Sequence, residues 1–267
     1  MVDLKDVQSE KDFRNISVDE AGVRNVVYPI VVLDRKNGTQ ETVGKFIMSV
    51  NLPHDLRGTH MSRFLEILNR HRKKINLRNM ERILDEMKEG LQAESAHLQI
   101  EFPYFIKKRA PVSKAEGYMN YNCKFIASKD NRFDFILEVD VPIHTLCPCS
   151  KEISSHSAHN QRAISEIQVR MNTLVWIEEL IEIAEECGSS PLYSIIKRED
   201  EQYLTEHAYD NPRFVEDVAR EIALRLERDE RIKWYSIYVI SYESIHTHDA
   251  YASITRNKNE SAHLADS

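Results

Sequence analysis

Residues 95–102, SAHLQIEF, place Ala96, Leu98, Ile100 and Phe102 on one side and Ser95, His97, Gln99 and Glu101 on the other. A period of two predicts a strand with one face buried. Residues 132–141, RFDFILEVDV, repeat the pattern with Phe133, Phe135, Leu137, Val139 and Val141 inward. Residues 163–171 do so with Ile167, Val169 and Met171. Elsewhere the period lengthens to that of a helix. Met80, Ile83, Leu84, Met87 and Leu91 form one stripe over 79–92, and Val215, Val218, Ala219, Ile222 and Leu226 form another over 212–228. Asn211 and Pro212 supply a cap and a first-turn residue for that second helix.

Taken in order, the elements form two series of one kind. Strands 25–35 and 40–50, helices 60–74 and 78–92, and strands 95–108 and 116–127 make the first. Strands 131–142 and 159–173, helices 174–187 and 212–229, and strands 232–243 and 247–256 make the second. Each series is ββααββ, without residue-level identity between the two. Short connections imply antiparallel hairpins. The expected fold class is therefore α+β, with two tandem ββααββ modules at 25–130 and 131–256 and helices on one face of antiparallel sheets. Residues 1–24 and 257–267 are expected to be flexible. Two segments interrupt the regularity, 145–162 and 188–211, and inserted stretches of that length are more often functional than idle.

Composition narrows the class. The 267 residues are 42% hydrophobic and 30% charged, the balance of a soluble globular protein. No apolar run reaches bilayer length, and the polar N-terminus lacks the pattern of an export signal, so a cytoplasmic location and no membrane partner are expected. A net charge of −7 argues against general nucleic-acid binding but leaves room for one small anion in a local basic pocket. Cys123, Cys147, Cys149 and Cys187 are expected to be thiols rather than a disulfide framework.

Four constellations carry candidate chemistry. Within TLCPCSKEISSHSAHNQR, Cys147, Cys149, His156 and His159 are ligand types for zinc or a near relative, but their spacing is not that of a zinc finger. A structural metal, a catalytic metal with an open position, or two buried thiols beside surface histidines all remain open on spacing alone. The run Lys197, Arg198, Glu199, Asp200 and Glu201 is either a solvated surface or a phosphate contact with one inward carboxylate. In SYESIHTHDAY, Glu243, His246, His248 and Asp249 form either a polar turn or a proton-transfer group. Glu216, early in a helix, is either a dipole partner or an acceptor for two parallel N–H groups of a planar ligand.

Together, LCPCSKEIS, SAHNQR, KREDEQYLTEHAYDNPRFVED, SYESIHTHDAYA and GTHMSRF resemble the type IB GTP cyclohydrolase I family of prokaryotes along nearly the whole chain. The resemblance implies the tunnelling fold, a homotetramer with active sites at subunit interfaces, and conversion of GTP and water to 7,8-dihydroneopterin triphosphate and formate. It implies one divalent metal per site (zinc, manganese or iron) held by Cys147, His159 and Glu201. It further implies Cys149 as an essential thiol outside the metal's ligands, and Glu216 as the guanine anchor. Glu243, His246 and His248 would serve ribose and proton transfers, and Lys197 and Arg198 would bind triphosphate. His156 falls outside this set. Rival expectations are a sister cyclohydrolase with a cyclic phosphate product, a nitrile reductase of the same fold, and a binding protein with a structural metal.

Overall fold

The computed structural model describes residues 6–8 and 10–258. Most of the tail expected to be flexible lies outside them. The chain divides into two compact units, Met1–Phe102 with Lys124–Ile136, and Pro103–Cys123 with Leu137–Ser267.

The first unit holds β1 (Val18–Asp34), β2 (Gly38–Leu52), α1 (Met61–His71), α2 (Leu77–Leu91) and the first half of β3 (Ala96–Arg109). β2 pairs antiparallel with both β1 and β3, with Val31 opposite Glu41 and Met48 opposite Leu98. The alternation predicted for 95–102 is realised, since Ala96, Leu98, Ile100 and Phe102 are all buried. The helical stripe of α2 is buried too, through Met80, Ile83, Leu84, Met87 and Leu91. Asn76 caps α2 by accepting from the Asn79 N–H at 3.3 Å.

The first 24 residues are not a wholly flexible lead. β1 begins at Val18 and pairs with β2 from its start. Gly22 permits this, because a Cβ there would lie 1.9 Å from the Met48 carbonyl oxygen. Asn25 takes a φ of 59° at the register shift between Arg24 and Val26, a bulge conformation that Asn tolerates.

The second unit carries the beginning of β4 (Glu116–Lys129) and most of β5 (Phe133–Leu146). It continues with α3 (Pro148–Ile153), β6 (Asn160–Met171), α4 (Ile177–Cys187), β7 (Ser190–Pro191), α5 (Arg198–Asp210), α6 (Val215–Arg228), β8 (Ile232–Ser241) and β9 (Ala250–Asn257). Neighbouring strands run β5-β6-β8-β9, all antiparallel, with β7 against β5. Register aligns Val139, Ile167 and Ile237 across three strands, each fully buried. α4 packs on α6, and α6 on β8 and β9. Leu180, Ile181, Ile222 and Leu226 are no more than 2% exposed. Each such side chain contributes about 1.5–3 kcal/mol by leaving water.

Two helices arise where alternation and periodicity predict none. α3 sits in the 145–162 interruption, and α5 fills much of 188–211. α5 is polar nearly all round, with only Asp200 and Ala208 buried, so it has no apolar stripe to detect. α6 also starts later than Asn211-Pro212 suggests. Asn211 instead closes α5, and the Arg213 N–H is engaged by the Leu146 carbonyl at 3.0 Å, which holds the lead-in off the helical path. α6 begins at Val215, where the Asp217 carboxylate accepts from the Phe214 N–H at 3.0 Å.

Candidate active site

The cleft of the second unit lies where buried strand rows turn polar. On β5 the row Val139, Val141, Ile143 continues into Thr145 and Cys147. On β6 the row Ile167, Ser165, Ala163 continues into Gln161 and His159, and on β8 Ile237 and Val239 continue into Ser241 and Glu243. Period-two geometry keeps each continuation on the face its row already occupies. The lead-in and first turn of α6 close one side with Arg213, Phe214 and Glu216. The β8–β9 connection brings His246 and His248, whose rings stack at 5.0 Å. The cleft has a volume of about 280 Å3.

Hydrogen bonds tie the cleft's polar groups together. The Cys147 N–H donates to the His159 carbonyl at 3.1 Å, one step beyond the last register pair, Leu146 and Asn160. The Cys147 sulfur accepts from the Ser150 N–H at 3.4 Å, which starts α3. His159 Nδ1 lies 3.0 Å from Gln161 Oε1 and 3.8 Å from Glu243 Oε2. Gln161 Nε2 donates to Glu243 Oε1 at 3.3 Å and to Thr145 Oγ1 at 3.4 Å.

Of the residues implicated by sequence, Cys147, His159, Glu216, Glu243, His246 and His248 line this one cleft. Cys149, Lys197, Arg198 and Glu201 do not line it. Cys149 is exposed in the first turn of α3, which Pro148 begins. Lys197, Arg198 and Glu201 are exposed at the start of α5. His156 is exposed, and its N–H donates to Ser154 Oγ at 3.2 Å, as a loop residue would.

A thiol and an imidazole side by side on paired strands fit two ligands of a borderline divalent metal. Among the described residues, three ligand-type side chains within 4.8 Å of one another occur instead at Glu138, Asp140 and Glu166. Amide groups of Asn122 and Gln168 donate to that acidic set. Cys123 and Cys187 are different thiols again. Burial pushes both up, Cys187 to about 11, so they stay protonated and unreactive.

Asp200 positions the start of α5. Its carboxylate accepts from the backbone N–H groups of Val112, Ser113 and Lys197 at 2.8, 2.9 and 2.8 Å, and from the Ser113 hydroxyl. Burial alone would raise its pKa, but the Ser113 hydroxyl and these N–H groups together hold it well below the usual carboxylate range. A charge run that reads as solvated surface thus contains one fully buried member.

Sequence reasoning missed Gln161, Thr145 and Arg213. Gln161 and Thr145 were detectable by extending the alternation past the apolar ends of β5 and β6. Arg213 carries no such signal, since its place follows from the backbone tie to Leu146.

The family model of the Type I GTP cyclohydrolase folE2 proteins matches residues 4–252. The GTP cyclohydrolase FolE2 of Kosmotoga olearia is 56% identical over 255 residues, covering 96% of this chain and 99% of that protein. The GTP cyclohydrolase FolE2 of Geobacter sp. (strain M21) is 54% identical, covering 96% of each. Among solved structures, a uricase from Bacillus fastidious superposes with a TM-score of 0.57 at 6% identity, covering 94% of this chain and 96% of that one. A highly active mutant of Bacillus sp. TB-90 urate oxidase gives 0.54 at 10% identity, covering 90% and 100%. At such identities these two show a shared fold alone, which is the α+β class expected from the element series and the tunnelling fold implied by the resemblance. With the family match spanning nearly every element described above, the chain belongs to the type I GTP cyclohydrolase FolE2 family.

Proposed function

We propose that this chain is a metal-dependent GTP cyclohydrolase I, converting GTP and water to 7,8-dihydroneopterin 3'-triphosphate and formate. That reaction opens folate synthesis and the route to deazaguanine bases of tRNA. The carrying observation is the convergence of Cys147, His159, Glu216, Glu243, His246 and His248, drawn from four separate segments, on one cleft.

Glu216 stands at the mouth of α6, where a carboxylate can accept both N–H groups of the guanine edge. His246 and His248, stacked and exposed in the turn, are placed to move protons at the ribose and at the opening ring. Glu243 is held by Gln161 and faces His159, so it accepts rather than roams. Positioned acid–base groups of this kind contribute about 100- to 10,000-fold in rate.

Cys147 and His159, with Glu201 as the third ligand, would hold a divalent metal (zinc, manganese or iron), which would supply Lewis acidity for activating water. Glu201, at the start of α5, lies outside the residues that line the cleft. Cys149, two residues beyond Cys147 in the first turn of α3, acts as a thiol outside the ligand set. Among the described residues Arg213 is the Arg or Lys that lines the cleft, which makes it a triphosphate contact beside Lys197 and Arg198, the two exposed cations at the start of α5. A homotetramer with interfacial sites, in the cytoplasm, completes the proposal. Its test is incubation of the chain with GTP and each metal in turn. Formate and, after oxidation, pterin fluorescence support it; intact GTP with all three metals refutes it.

A further inference from the structure

We infer that Gln161 is a positioning residue that fixes which nitrogen of His159 faces the metal, a role that rests on His159 being a ligand as proposed above. The argument is one of donors and acceptors. The Glu243 carboxylate oxygen facing Gln161 is a hydrogen-bond acceptor. Gln161 therefore turns its NH2 group toward it, and Nε2 lies 3.3 Å from Glu243 Oε1 and 3.4 Å from Thr145 Oγ1. Turning the NH2 that way turns the amide oxygen toward His159, where Oε1 lies 3.0 Å from Nδ1. The Ser244 hydroxyl donates to the same oxygen at 3.3 Å.

An amide oxygen cannot donate. The hydrogen between it and His159 must sit on Nδ1, which leaves the Nε2 lone pair for a metal. Glu243 Oε2, 3.8 Å from the same Nδ1, favours the same placement of the proton. The order of dependence is thus carboxylate, then amide, then imidazole. The backbone reinforces it, because Thr145 and Gln161 are register partners on β5 and β6 and cannot slide apart without breaking the ladder. Outer groups that orient a ligand histidine typically change metal affinity by about 10–100-fold when removed.

The test compares Gln161→Met with Gln161→Glu in the full chain. Both variants lose the NH2 given to Glu243; Met keeps the volume and removes the acceptor as well, whereas Glu keeps the acceptor. The first readout is metal affinity by chelator competition. The second is the His159 tautomer, from long-range proton–nitrogen correlations of the histidine-labelled, metal-free chain at a pH where imidazoles are neutral. Signals are assigned by their loss in His159→Ala. The positioning role predicts an Nδ1–H tautomer in the parent and in Gln161→Glu, and a mixed tautomer with about 10–100-fold weaker metal binding in Gln161→Met. Equal behaviour of Gln161→Met and the parent, or an Nε2–H tautomer in the parent, overturns it. Undiminished metal affinity in His159→Ala strikes instead at the ligand assignment, which separates the two failures.

Discussion

Cys147 and His159 are joined through their backbones, the N–H of one meeting the carbonyl of the other at 3.1 Å just past the end of the β5–β6 ladder. Their separation is therefore set by sheet register and not by the eleven-residue excursion between them. His156 lies within that excursion and faces solvent. His156→Ala should leave metal affinity and turnover unchanged. Cys147→Ala or His159→Ala should weaken metal binding beyond the about 100-fold expected of an outer-group change. Chelator competition on the three variants decides it, and a metal loss in His156→Ala would reassign the ligand.

Glu216 supplies a second prediction. A carboxylate accepting two N–H groups discriminates against a purine lacking the 2-amino group. Each hydrogen bond to a charged group is worth about 1.5–3 kcal/mol, so Glu216→Gln should lower kcat/KM for GTP by about tenfold to 100-fold. The preference for GTP over inosine triphosphate should shrink in the same variant. An unchanged preference would place the guanine elsewhere.

The four thiols should separate by reactivity. Cys123 and Cys187 are buried and held protonated, whereas Cys149 is exposed. Brief alkylation of the native chain should label Cys149 and leave Cys123 and Cys187 unmodified until denaturation, as peptide masses will show. Cys149→Ala should lose turnover with metal content near normal. Loss of metal in that variant would make Cys149 a ligand.

Asp200 predicts a pH dependence. Its folded-state pKa is depressed, so the stabilisation it gives is present above the ordinary carboxylate range and is lost only as pH falls through the lowered value. Protection of the Val112 and Ser113 amides against hydrogen exchange should therefore persist through mildly acidic pH. Asp200→Asn should speed exchange at both by at least about tenfold, the equivalent of one charged hydrogen bond. Loss of protection near the usual carboxylate range in the parent chain would show that the depression is absent.

The sequence disclosed the elements better than the site. Alternation in SAHLQIEF and the stripe of α2 translate directly into buried rows, and RFDFILEVDV does so from Phe135 onward while Phe133 is only half-buried, because one buried face leaves a periodic trace. α5 leaves none: its two buried residues, Asp200 and Ala208, do not make a stripe. Gln161 looked like one more polar residue, since its importance depends on facing Glu243 across the β6–β8 pairing, more than eighty positions away in the chain. Cys147 and His159 were visible as residue types, but only register shows that they meet. Glu201 shows the converse. The resemblance names it as a ligand, and the fold sets it outside the cleft lining.

The most direct measurement uses GTP labelled at C8 with the metal-loaded chain. The predicted result is release of the label as formate, in step with a product whose mass retains the linear triphosphate. Label retained in the purine, or released with a cyclic phosphate product, would contradict the proposed reaction.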